Sequence, residues 1–87
     1  MPDHDVHVYS RPGCMPCKRT KDLLGRAGVV FTEHDVDASP DAAAAVRALG
    51  YTSVPVVTVA LPDGTDHWSG YRPDQITALT YLAGADQ

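Results

Sequence analysis

The only two cysteines of this chain, Cys14 and Cys17, stand two residues apart, where an apolar strand-like run gives way to a helix-like one. That junction constrains the fold more than any other feature. It asks for a strand that ends in a turn and for a helix that begins at a thiol. The spacing argues against a purely structural staple. In the chain-entropy model so short a loop contributes only about 2 kcal/mol, against about 3 for a loop of fifteen residues. A pair of this kind suits a dithiol that opens and closes as chemistry.

Eighty-seven residues make one domain with one modest core, and the 44% apolar and 21% charged fractions are those of an ordinary globule. No apolar run reaches the roughly 18 residues that span a bilayer, so no membrane partner is expected. The start, Met1-Pro2-Asp3-His4-Asp5, is acidic and polar, unlike a signal peptide. The expectation is a cytoplasmic monomer. In that reducing compartment a disulfide is transient, which again favours redox work.

Charge is distributed unevenly. Arg11, Lys18, Arg19, Lys21 and Arg26 are five of the seven basic residues, and with Asp22 they give residues 11–26 a charge of +4. The remainder carries −8. The cysteines therefore sit in the one basic region of an acidic chain, a field that favours a thiolate and attracts an acidic partner. Arg11 and Lys18, beside the cysteines, read as thiolate-activating. Lys21 and Arg26 read as a solvated helix face. An acidic chain whose basic patch lacks interleaved aromatics argues against nucleic acid as a partner.

The apolar pattern supplies the rest of the order. Val6 to Tyr9 alternates like a strand, and Ser10-Arg11-Pro12-Gly13 is a turn. A helix follows over 14–27, with Cys17, Thr20, Leu24 and Ala27 on one face and Gly28 as its stop. Residues 29–36 read as a second strand. Ser39-Pro40-Asp41 starts a helix with Ala42, Ala45, Val46 and Leu49 at helical spacing, ended by Gly50. Pro55 to Val59 is a third strand and Pro62-Asp63-Gly64 a hairpin turn. A fourth strand runs over 65–69, and Pro73-Asp74 opens a last helix with Ile76, Leu79 and Ala83 inward. The order β-α-β-α-β-β-α is an α/β architecture with a four-stranded mixed sheet and helices on both faces. It is the order of the thioredoxin-like fold, which places a dithiol at its first helix N-terminus.

Disulfide exchange needs a thiolate, and a free thiol is only about 3% ionised at pH 7. A helix N-terminus supplies unpaired amides and a positive dipole end. With Cys14 as N-cap, its sulfur can accept from the Cys17 N–H, while Pro16 is tolerated in the first turn. Cys14 then reads as the exposed nucleophile and Cys17, inward, as the resolving thiol. A rival reading is metal binding. One Cys-x-x-Cys supplies two of the four ligands zinc wants, and His4, His7, His34 and His67 would have to complete it from separate strands. No metal is expected.

Three segments carry a family resemblance: Val8-Tyr9-Ser10-Arg11-Pro12-Gly13-Cys14-Met15-Pro16-Cys17, then Ser53-Val54-Pro55-Val56-Val57, then His67-Trp68-Ser69-Gly70-Tyr71-Arg72-Pro73-Asp74. With their spacing they cover almost the whole chain, and they resemble the glutaredoxin-type proteins. The third segment is the discriminating one, because Trp-Ser-Gly-aromatic-Arg-Pro is similar to the signature of the NrdH-redoxins.

The resemblance implies a cis Val54–Pro55 bond beside the dithiol, where sequence alone gives odds of about 5–6%. It implies substrate contacts at Arg11, Met15, Pro16, Val54, Pro55, Trp68, Ser69, Gly70, Tyr71 and Arg72. The exposed backbone of Val54 would pair with an extended substrate segment. Bulky Tyr71 and Arg72 would close the groove in which glutaredoxins hold glutathione, Trp68 would either form an apolar patch with Tyr71 or pack on the last helix, and Arg72 would interact with Trp68. The implied function is a dithiol electron donor to a class Ib ribonucleotide reductase. It would bind no cofactor and be recharged by thioredoxin reductase, a flavoprotein drawing on NADPH. A second reading is a glutaredoxin-like enzyme reduced by glutathione or mycothiol, and a third a zinc or iron–sulfur module. Met15-Pro16 departs from the Val-Gln common in NrdH-redoxins, and Tyr71 from their usual Phe. Proline before the second cysteine is the thioredoxin arrangement, which implies a potential nearer about −270 mV than about −200 to −230 mV.

Overall fold

Gly13, with φ of 77°, lets the first strand hand over to the first helix within a few residues. The computed structural model describes residues 5–62 and 64–84, with side chains to residue 80. The elements are β1 (Asp5–Ser10), α1 (Met15–Arg26), β2 (Thr32–Asp35), α2 (Pro40–Ala48), β3 (Val56–Leu61), β4 (Gly64–Ser69) and α3 (Pro73–Gly84). The order is the one expected. His4, Asp63 and the side chain of Ala83 lie outside the described residues.

The strands form one sheet in the order β2-β1-β3-β4. β1 runs parallel to β2 and antiparallel to β3, and β3 and β4 form a hairpin that closes with Leu61 opposite Gly64. Alternation then sorts the side chains. Val8, Val57 and Trp68 stand in one row across three strands, with Val6 opposite Val59 beside it. This face is packed by Leu24 of α1 and by Ile76 and Leu79 of α3, and all of these are buried. The opposite face carries Tyr9, Val56 and His67. Val56 is fully buried there, and Tyr51, just past α2, bonds His67 on that side at 2.8 Å. Ala42 and Val46 of α2 are buried outside the main cluster, so α2 covers the second face.

Local chemistry fixes the helix ends. Ser39 is the N-cap of α2, its hydroxyl accepting from the Ala42 N–H at 3.2 Å, with Pro40 in the first turn. In α1 the buried Thr20 hydroxyl donates to the Pro16 carbonyl at 2.9 Å, so it costs the core nothing unpaired.

Strand boundaries shift by one to three residues from expectation, and two of the shifted starts have a local cause. β2 begins at Thr32 rather than at 29. The Val29 N–H closes the end of α1 by donating to the Leu24 carbonyl at 3.0 Å, so that residue belongs to the helix exit. Val29 still buries its side chain, while Val30 is 87% exposed. β3 begins at Val56 rather than at Pro55, which has no N–H for a ladder.

Truncating Ile76 to Ala is expected to cost about 2–5 kcal/mol, the range for a large buried aliphatic side chain. Ser39→Ala is expected to cost about 1 kcal/mol through the lost cap. Urea unfolding reads both, as a lower midpoint at unchanged slope.

Candidate functional site

Cys14 is the N-cap of α1, with extended backbone angles of −91° and 107°. Its sulfur accepts the Cys17 N–H at 3.2 Å, and its carbonyl accepts the Lys18 N–H at 3.1 Å. The two cysteines are joined in a disulfide with Cα atoms 5.2 Å apart. Their environments are unequal. Cys14 is half-buried at the mouth of a cleft, whereas Cys17 is only 1% exposed on the inner face of α1. An incoming disulfide can therefore reach Cys14 first.

A second segment comes against the first. The Val54–Pro55 bond is cis, and the Val54 carbonyl oxygen lies 4.0 Å from Cys14 Sγ. The third segment is tied to the second. The Gly70 N–H donates to the Pro55 carbonyl at 2.8 Å, and the Ser69 hydroxyl reaches the Ser53 carbonyl at 3.5 Å. The bend at Gly70 has φ of 88°, a conformation glycine adopts without strain. So Cys14, Cys17, Val54, Pro55, Ser69 and Gly70 form one connected unit. Met15, 58% exposed, stands beside Cys14 at the helix start, and Tyr71, 38% exposed, follows the Gly70 bend.

Trp68 is elsewhere. Its position opposite Val57 turns it to the α1–α3 face, where it is 5% exposed and packed in the core. The expected apolar patch is therefore carried by Tyr71 without Trp68. Trp68 is core here, and its indole N–H has no hydrogen-bond partner among the described residues. Arg72 does not engage Trp68 either. Its guanidinium makes a two-point contact with Asp74, at 3.1 and 2.8 Å, which ties down the start of α3. The Asp74 carboxyl is held below its usual range by that hydrogen-bonded guanidinium.

The basic residues divide. Arg11 turns towards Asp37, with Nε 3.4 Å from the carboxylate. Lys18 lines the cleft beside Cys14, a cavity of about 430 Å³, and has no ion-pair partner among the described residues. Lys21, expected on a solvated face, instead reaches across the cleft to Glu33 at 2.7 Å. The same Glu33 oxygen accepts the hydroxyl of buried Ser10 at 2.8 Å. Sequence reasoning missed Glu33 and Ser10. One signal was available: strand alternation puts Phe31, Glu33 and Asp35 on the parity that faces α1. The Glu33 carboxyl lies below its usual range, chiefly because the Lys21 ammonium and then the Ser10 hydroxyl hydrogen-bond its ionised form.

The described histidines, His7, His34 and His67, sit apart from the cysteines. His7 and His34 are hydrogen-bonded at 2.8 Å across β1 and β2, His34 stacks on Tyr9, and His67 pairs with Tyr51. Among the described residues no three or more His, Cys, Asp or Glu side chains are arranged to hold a metal. No helix among them is long and apolar enough to cross a membrane.

Known proteins resemble this chain in sequence and fold. Residues 6–60 match the family model described as Glutaredoxin. The glutaredoxin-like protein NrdH of Escherichia coli K12 is 39% identical over 74 residues, covering 85% of this chain and 86% of that protein. The gene 56 protein of Mycobacterium phage L5 is 45% identical over 75 residues, covering 85% and 70%. The solved structure of the E. coli NrdH-redoxin superposes with a TM-score of 0.76, at 39% identity, over 86% of this chain and 93% of that one.

The depressed Glu33 carboxyl carries a pH signature. Its stabilising contribution is complete above the ordinary glutamate value of about 4.3 and is lost as pH falls through its lower value in the folded protein. Glu33→Gln is therefore expected to lower stability slightly at pH 7 and to flatten the loss of stability on acidification below that value. Urea midpoints for both proteins between pH 3 and pH 7 would show whether the two curves converge.

Proposed function

The chain belongs to the glutaredoxin family, in its NrdH branch, and on that premise we propose that this thiol–disulfide oxidoreductase serves as a dithiol electron donor to a class Ib ribonucleotide reductase. It is recharged by thioredoxin reductase with NADPH as the ultimate source, and it works in the cytoplasm with no cofactor of its own. One observation carries the choice of reductant. The Ser69–Gly70 bend is docked on Pro55, and it leads into Tyr71 and the Arg72–Asp74 pair. By the family resemblance glutathione would need open backbone at this stretch, and the bulky Tyr71 and the Arg72–Asp74 pair count against it. The solved E. coli relative is described as having a thioredoxin-like activity profile, which supports the same reading.

The steps follow from the unequal cysteines. In the reduced protein the Cys14 thiolate attacks one sulfur of a substrate disulfide, and the other sulfur leaves as a thiolate. The Cys17 amide and the N-terminus of α1 stabilise the negative charge of the attacking Cys14 thiolate. Cys17 then attacks Cys14 in the mixed disulfide. The substrate leaves with two electrons and two protons, and the Cys14–Cys17 disulfide remains. Beside this exchange, the backbone of Val54 offers a pairing edge to an extended substrate segment, with Met15, Pro16, Tyr71 and Gly70 around it. Lys18 adds positive charge at the helix start.

Oxidised protein presented to thioredoxin reductase is expected to drive rapid NADPH oxidation. Turnover only with glutathione or mycothiol and its reductase would overturn this choice of electron source. Cys14→Ser is expected to lose essentially all disulfide reduction. Cys17→Ser is expected to stop at a mixed disulfide, visible as a mass increase that dithiothreitol removes.

A further inference from the structure

The cleft beside Cys14 is lined by five charged side chains: Arg11 from the turn, Lys18 and Lys21 from α1, and Glu33 and Asp35 from β2. Four of them are engaged. Arg11 faces Asp37 at 3.4 Å. Asp35 accepts the N–H groups of Asp37 and Ala38 at 2.8 and 3.3 Å, capping its own turn. Lys21 and Glu33 meet at 2.7 Å, and buried Ser10 fixes the carboxylate from the sheet side at 2.8 Å. Of the three cations lining the cleft, Lys18 is the one without an ion-pair partner among the described residues. Two of the segment's five basic side chains, Arg11 and Lys21, thus face carboxylates, which lowers the positive charge the cleft presents to Cys14.

We infer that Glu33 is a positioning residue that sets the reactivity of Cys14: by drawing the Lys21 ammonium onto β2 and cancelling it, Glu33 keeps the thiolate from being over-stabilised and the dithiol strongly reducing. The physical logic is general. A couple whose thiolate is strongly stabilised favours its reduced form and becomes an oxidant, whereas a reductant needs that stabilisation limited. Glu33 is built for a constant opposing charge, because Lys21 and Ser10 both favour its ionised form. The chemistry at stake is the two-electron exchange already described, so the inference rests on the Cys14–Cys17 couple and not on the identity of the reductase or acceptor.

The sign pattern of three variants tests it. Glu33→Gln uncovers Lys21 and is expected to move the pH midpoint of Cys14 alkylation by iodoacetamide downward. It is also expected to shift the exchange equilibrium with dithiothreitol towards the protein dithiol, about two- to fivefold, the scale of one unit charge acting across a solvated cleft. Lys21→Gln uncovers Glu33 and is expected to shift both readings the opposite way. The double variant removes a neutral pair and is expected to return close to the wild type. All of these shifts are expected to shrink at 1 M salt, where the screening length is about 3 Å. A merely structural pair would move both single variants in the same direction, and that result overturns the inference. So does an unchanged alkylation profile in Glu33→Gln with native circular dichroism. If Glu33→Gln fails to fold, Lys21→Gln alone decides by the sign of its shift. No reductase or acceptor protein enters the measurement, so failure here is distinct from failure of the proposed electron pathway.

Discussion

The hydrogen bond from the Cys17 amide to Cys14 Sγ is where the fold and the chemistry meet. A helix must satisfy its first N–H groups, and here the partner is a sulfur rather than the usual side-chain oxygen. That choice makes the cap reactive. It also fixes the difference between the thiols, since a residue at the cap stays outside the helix while one three positions later turns inward. Everything else holds this end in place. β1 aims the turn at it, Leu24 anchors α1 on the Val8–Val57–Trp68 row, and the cis Val54–Pro55 segment stands against the sulfur.

Much of this was legible in the chain because it depends on near neighbours. The Ser39-Pro40 start, the Gly28 stop and the Cys14 cap are decisions made within a few residues. The cis bond was not legible from composition or spacing and came only with the family resemblance. Trp68 shows a different limit. Alternation says that His67 and Trp68 face opposite ways, but which one faces the core depends on the register against β3. That register puts Trp68 opposite Val57 and removes it from the surface. Arg11 shows a third. It lines the cleft beside Cys14, as its place in the sequence suggested, but its side chain also faces Asp37, which reaches it from beyond β2.

The electrostatics carry the same lesson. A segment of +4 suggested a strong field at the dithiol. Folding brings acidic residues of the other segment to meet it, and the pairing is selective. Charge counted along a sequence measures what is available to a site. Charge left after β2 has docked on β1 measures what the site feels. The gap between them is a quantity that substitutions on β2 can tune without touching either cysteine.

β1 is the first element of the described chain and yet lies inside the sheet, between β2 and β3. A polypeptide emerges N-terminus first as it is made. Val6 and Val8 therefore appear long before Val57 and Val59 exist to cover them. Cys14 and Cys17 emerge with α1, ahead of Pro55 and ahead of the helix whose Ile76 and Leu79 pack the same face. During that interval Cys17 lacks the burial that makes it the second thiol to react, and the two sulfurs are equivalent in access. The order of attack is thus a property acquired late in synthesis, and a nascent chain meeting an oxidant is exposed in a way the finished protein is not.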